Sequence, residues 1–127
     1  MRKPFGGTKF SSPFGRPTRP EDQPAARRTD LETKLCTAIR ESVQVEITYD
    51  GEVRVYEPCA VFHSPKHKVN VAGQQIKNLT NPADKLGPRD FEIGRIETLR
   101  VTAMRFTPDP RFDRTHAKYR NGIICPI

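Results

Sequence analysis

Apolar positions recur every third or fourth residue up to about Ile39, and every second residue from Val43 onward. Val43, Val45, Ile47 and Tyr49 alternate with Gln44, Glu46 and Thr48, the pattern of a strand with one buried face. Asp50-Gly51 follows, a dipeptide suited to a type I′ hairpin because both central positions need positive φ. The return strand runs through Val53 and Val55 and ends near Pro58. Cys59 to Phe62 reads as a third strand, Ser64-Pro65-Lys66 as a turn, and Lys68 to Ala72 as a fourth strand. Gln74 to Gly87 is polar and contains Asn81-Pro82 and Leu86-Gly87-Pro88, so it reads as a long loop. Arg89 to Ile93 is a fifth strand with a break at Gly94. Thr98 to Phe106 is the last, stopped by Pro108 and Pro110. Upstream, Leu31, Leu35 and Ile39 lie on one helical face with Cys36 beside them, and Thr29-x-x-Glu32 has the form of a capping box. The chain is therefore expected to be mainly β. One short α-helix precedes five or so antiparallel strands that curl into a small barrel, whose closure removes exposed edges. Val53, Val55, Val61, Val101 and Met104 are the core candidates.

Charge divides the chain unevenly. Residues 1–28 carry Arg2, Lys3, Lys9, Arg16, Arg19, Arg27 and Arg28 against Glu21 and Asp22, which is +5 of the total +7. Residues 29–127 carry 15 basic and 13 acidic residues, a net of +2. The first segment also holds five prolines and few aliphatic residues. It cannot bury enough apolar surface to offset its ordering entropy, so it reads as a disordered tail. Phe5 and Phe14 lie in a loose repeat between basic residues; such aromatics can stack on nucleobases, but scattered linker residues are the favoured reading. The expected organisation is a tail at 1–28, a folded domain at 29–113 and a C-terminal extension at 114–127. The three cysteines, Cys36, Cys59 and Cys125, are odd in number, widely spaced and without a CxxC pair. That pattern argues against a disulfide framework and for a reducing cytoplasm. The N-terminus lacks the apolar core of a secretory signal, and no stretch approaches membrane-spanning length.

The chemistry-bearing residues point to binding rather than catalysis. Arg89 and Arg95 are six residues apart around Phe91. In one continuous strand, residues at even spacing point to one face, and two guanidinium forks there can hold phosphate or carboxylate, although charge pattern alone favours solvated surface residues. Cys59, His63 and His67 have a metal-like spacing, but Pro58 and Ser64-Pro65 preclude the helix that would align them, so no metal is expected. No phosphate loop, nucleophile elbow or HExxH motif is present. Asp84, Asp90 and Glu92 are read as solvated surface residues. No catalytic residue and no cofactor are expected.

The ordered set of motifs resembles a WYL domain over about residues 31–113. It comprises Leu35, Ala38 and Ile39 in the helix, then Val45-x-Ile47-x-Tyr49, Arg54-x-x-x-Pro58 and Val71-Ala72. Arg89-x-Phe91-x-x-x-Arg95-Ile96 and a strand ending at Phe106 complete it. The resemblance implies an Sm-like, SH3-type β-barrel. It also implies the family's setting, bacterial transcription regulation, with sensing of nucleotides or nucleic-acid ligands. The family's arginines fall on Arg89 and Arg95. Its Trp-Tyr-Leu signature falls on Lys68, Val69 and Asn70, and Glu92 and Gly94 also depart from the pattern. The implied ligand site is Arg89, Arg95, Lys68, Asn70 and Tyr49, with the basic tail adding sequence-blind phosphate contacts. The expected function is a non-catalytic module binding a nucleotide or single-stranded nucleic acid. The alternative is a protein-interaction or dimerisation module with a tethering tail, and no membrane association is expected.

Overall fold

The computed structural model describes residues 24–126. Helix α1 spans Thr29–Glu41. Strands β1 (Val43–Tyr49), β2 (Glu52–His63), β3 (Val69–Asn78), β4 (Gly87–Glu92), β5 (Thr98–Arg105) and β6 (Ile123–Pro126) follow. They form one antiparallel sheet in the order β4-β3-β2-β1-β5, with β6 also pairing β2. Short 3₁₀ turns lie at Ile93–Arg95 and Ala117–Tyr119. The first 23 residues, with Arg2, Lys3, Lys9, Arg16 and Arg19 of the expected basic tail, lie outside the described residues.

Helix α1 forms because Leu31, Leu35, Ala38 and Ile39 make one buried stripe. It ends at Ser42, whose left-handed backbone (φ 55°) directs its N–H to the carbonyls of Ala38 and Ile39. Its start differs from the expected capping box. Arg28 is the N-cap and gives no side-chain cap, while Thr29 lies inside the helix and its carbonyl accepts from Thr33 Oγ1 at 2.9 Å. The Glu32 carboxylate instead takes both prongs of Arg27, at 2.6 and 3.1 Å. A charge-assisted fork outcompetes a single bond to a backbone amide. The Asp50-Gly51 hairpin is as expected, with positive φ at both residues (53° and 74°).

β2 is one strand where the sequence suggests two. It continues through Pro58, where the pairing with β3 shifts register between Pro58 and Ala60. A bulge is where a sheet accommodates proline. Gly73 lies opposite, and a Cβ there would come within 2.2 Å of the Glu57 carbonyl oxygen, so this close passage needs glycine. The inward face of β2 is also the other one. Val45 faces Tyr56 and Ile47 faces Arg54, so Arg54 and Tyr56 point into the core with Val45 and Ile47. Val53 and Val55 are only half-buried. Of the other expected core residues, Val61 is buried, Val101 is partly exposed and Met104 is 63% exposed on the edge strand β5.

The sheet has apolar clusters on both faces. On one, α1 closes over Val45, Ile47, Tyr56, Val61, Val71, Phe91 and Ile93. On the other, Ala60, Phe62, Ala72 and Tyr119 pack together, covered by Phe112 and Ile123 from the C-terminal segment. The hydrogen-bonded ladder ends at β4 and β5 and does not join them, so the sheet is open where closure was expected. The cysteine expectation is also corrected, because Cys36 of α1 and Cys125 of β6 form a disulfide with their Cα atoms 5.7 Å apart. Their separation of 89 residues gives no signal in sequence; the fold alone makes them neighbours. No described helix is long and apolar enough to cross a membrane.

One substitution separates the observed helix start from the expected one, and a second tests the buried stripe. Thr29→Ala should change unfolding free energy by less than about 0.5 kcal/mol, because no cap is lost. Leu35→Ala, at a fully buried position, should cost about 2–5 kcal/mol. Urea denaturation of both variants checks this; a loss near 1 kcal/mol for Thr29→Ala would restore the capping box.

Candidate functional site

Arg89 and Arg95 do not share one face of a strand. β4 ends at Glu92, and Arg95 belongs to the 3₁₀ turn that follows. The two guanidinium groups serve different carboxylates. Arg89 donates to Asp84 at 2.9 Å and to Gln75 Oε1 at 3.3 Å. Asp84 comes from the loop after β3 and closes a buried polar network. Gln75 and Asn78 donate to it, each at 2.9 Å, and Arg54 approaches it at 3.4 Å. Arg54 is 5% exposed. It donates to Glu52 at 2.8 Å, to Gln75 at 3.0 Å and to the Tyr49 carbonyl at 3.2 Å, and sits 5.4 Å from the centre of the Phe91 ring. A guanidinium sits inside a core when its donors are largely met; here both Nη groups are, while Nε is buried with no partner among the described residues. Gln75 points inward to accept from Arg54, and Asn78 points inward to donate to the Glu52 and Asp84 carboxylates, so β3 runs to Asn78 through residues that look like loop. Hydrogen bonds from Gln75 and Asn78, then Arg89, hold the Asp84 carboxyl well below its ordinary 3.8.

Glu92 organises the second cluster. It is 7% exposed, and its carboxylate accepts from Arg95 Nε at 2.8 Å and from the Ala25 backbone N–H at 2.7 Å, with Lys68 Nζ at 3.7 Å. Its own N–H donates to the Tyr49 hydroxyl at 3.3 Å. Tyr49 packs on Phe91, ring centres 4.8 Å apart. Asn70 lies on β3 between Phe62 and Glu92, with its Oδ1 buried and unbonded among the described residues. Pro24 to Arg28 belong by composition to the tail, yet they lie against this cluster. A Cβ at Gly94 would meet the Ala26 carbonyl at 2.5 Å and the Ala25 Cβ at 2.7 Å. Glycine at 94 is what lets the incoming chain seat there.

A cleft of about 280 Å³ opens between this incoming segment and the β2–β3 turn, lined in part by Arg27, Arg28, His63, His67, Lys68 and Glu92. Lys68 is the candidate from the β region that lines it; Tyr49, Asn70, Arg89 and Arg95 do not. Glu32 and Glu92, the two carboxylates of the lining, are 6% and 7% exposed. Arg27 and Arg28 have side chains 53% and 45% exposed. The negative charge is thus buried against protein donors, and the outer wall is positive. The sequence signal for this cleft was the charge of residues 27–28, which composition assigns to the tail.

A larger cleft, about 430 Å³, lies on the opposite cluster beside Phe112, Tyr119, Cys59, Asp90, Asp109 and Asp113. Asp90 is bound there by Lys118, with Nζ 3.1 Å from each carboxylate oxygen. Burial pushes the Cys59 thiol up to about 11, so at neutral pH it is protonated and a poor nucleophile. Carboxylates dominate this cleft, which disfavours anions. Cys59 faces it while His63 and His67 line the other cleft, and no group of three or more metal-ligating side chains gathers among the described residues.

No family model, no curated protein and no solved structure matches this chain.

The Asp84 network sets an acid limb. A carboxyl held below 3.8 in the folded state contributes stability above that value. The contribution is lost as pH falls below that value and through the lower folded-state pKa. Melting temperature should therefore drop as pH is lowered below about 4, and Asp84→Asn should be less stable at neutral pH with a flatter acid limb. Arg89→Ala should also lower the melting temperature and leave anion binding nearly intact. A stable Arg89→Ala variant with lost binding would return Arg89 to the ligand site.

Proposed function

We propose that this protein is a non-catalytic regulatory module that binds a nucleotide or single-stranded nucleic acid, with the smaller cleft as its phosphate site. One observation carries the reading. The cleft walled by Arg27, Arg28 and Lys68 lies where the first described residues meet the fold, directly after residues 1–23 in the sequence. Those residues hold five basic and two acidic side chains, a net of +3. Arg27 stays forked onto the buried Glu32 carboxylate and walls the cleft, whereas Arg28 is in a solvent-exposed pair with Asp30, and such pairs are weak enough to rearrange toward a phosphate. His63 and His67 add neutral or charged donors. The WYL resemblance is part of this proposal, with the implied barrel opened into a sheet between β4 and β5, as are a cytoplasmic location and a role in transcription regulation. The helix followed by a β1–β4 meander, with β5 returning to pair β1, supports it. A second reading, self-association, draws support from β5, an edge strand with Val101 and Met104 exposed.

Affinity for oligothymidylate against salt concentration separates the two. Each phosphate contact on a single strand adds about −0.7 to the slope of log affinity against log salt. Removing residues 1–23 while keeping 24–28 should make the slope shallower by roughly two units if three basic residues engage. Arg28→Gln with Lys68→Gln should weaken binding roughly tenfold or more with little change in melting temperature. A salt-independent dimer, with no oligonucleotide binding, would favour the edge-strand reading.

A further inference from the structure

The disulfide is tied by a short run of contacts to the turn that carries the cleft's residues. Cys36 of α1 holds Cys125 of β6. β6 has four residues and pairs β2 through Ala60↔Pro126, Val61↔Cys125 and Phe62↔Ile123, with a register shift between the last two. Just before it, the Gly122 carbonyl accepts from the His63 N–H at 2.9 Å, and Asn121 Nδ2 donates to the Ser64 carbonyl at 2.8 Å. Ser64 is the centre of the turn. It is 7% exposed, its Oγ accepts from the backbone N–H groups of Lys66 and Lys68 at 3.3 and 3.1 Å, and its N–H donates to the Lys68 carbonyl at 2.8 Å. His63, His67 and Lys68, which line the smaller cleft, are therefore aimed by a turn that the C-terminal segment braces.

We propose that Cys36–Cys125 is a thiol-sensitive latch on the anion cleft. The inference rests on the binding reading above and adds its regulation. A dithiol reductant attacks one sulfur through its thiolate and forms a mixed disulfide. Its second thiol then resolves that bond, releasing Cys36 and Cys125 as thiols and leaving the reductant oxidised to a disulfide. Two electrons and two protons pass to the protein, and both accounts balance. Cys36 and Cys125 are both partly exposed, so a small reductant can reach them. Cys59 packs on the opposite face of the sheet from Cys36 and Cys125, so it is not a replacement partner. With the bond open, β6 keeps its short pairing with β2 and the packing of Tyr119. Elements held by so few contacts open locally far more often than the core. Opening removes the Asn121 and Gly122 braces, the Ser64 turn loosens, and the cleft loses its ordered wall.

The test uses the full chain, oxidised or treated with dithiothreitol, with Cys36→Ser/Cys125→Ser as a permanently unlatched form and Cys59→Ser as a control. Anisotropy gives affinity for fluorescent oligothymidylate at fixed salt, and amide hydrogen exchange gives local opening. Reduction and the double variant should each weaken binding about five- to tenfold, the range of ordinary site-to-site coupling. Both should speed exchange at residues 63–68 and 119–126, while α1 and β1 stay protected. Cys59→Ser should bind like the parent and still respond to reductant. Unchanged exchange at 63–68 on reduction overturns the latch. So does faster exchange throughout α1 and β1, which would make the bond a general staple. Absence of oligonucleotide binding by the oxidised protein would sink the binding reading alone, and the exchange data would still decide whether the turn is latched.

Discussion

β2 pairs with three strands at once, and most of the structure follows from that. Its first half meets β1, nearly its whole length meets β3, and its end meets β6 on the edge that β1 vacates. A strand paired on both edges and covered on both faces has no exposed backbone to satisfy elsewhere. α1 packs over one side and the C-terminal segment over the other. The bulge after Pro58 allows this, because it changes the strand's course between its two sets of partners. The cost is polar. Register with β1 forces Arg54 inward, and a buried guanidinium needs acceptors. Glu52, Gln75 and Asp84 supply them, which extends β3 and pins the following loop.

The same logic sorts the cations. Arg54, Arg89 and Arg95 are matched by Glu52, Asp84 and Glu92, so their charge is largely spent within the fold. Arg27 and Arg28, where the chain enters, also pair with carboxylates, Glu32 and Asp30, but keep about half of their side-chain surface in water. A carboxylate buried at Glu92 draws Ala25, Arg95 and Lys68 together and thereby anchors the incoming segment against the sheet. The binding surface proposed here is a by-product of that anchoring. One buried acid positions the chain, and Arg27 and Arg28 of that chain are left partly exposed at the cleft.

Local features were legible in the sequence to the degree that one interaction dictates them. The helix stripe, the Asp50-Gly51 turn and the β1 alternation each depend on residues near in sequence, and each is found. The face of β2 was not legible, because Val53 and Val55 look more buried than Arg54, and only pairing with β1 reverses that. The end of β3 was hidden for a related reason: Gln75 and Asn78 are inward but polar. The arginine pair failed as a shared site because Gly94 sits in a 3₁₀ turn and ends the strand geometry that the spacing assumed. The disulfide and β6 carry no local signal, since both join chain ends that only the completed sheet brings together. Lys68 was identified as a site candidate from the resemblance, whereas the roles of Arg27, His63, His67 and Glu92 needed the fold.

The central claim is a location, and a nuclear magnetic resonance titration of the oxidised full chain with a short oligothymidylate tests it most directly. The account expects amide shifts concentrated at residues 24–28 and 63–68, with the residues of the larger cleft, 106–119, and the Asp84 network unmoved. Shifts centred on Arg89 and Asp84, or on the larger cleft, would contradict it.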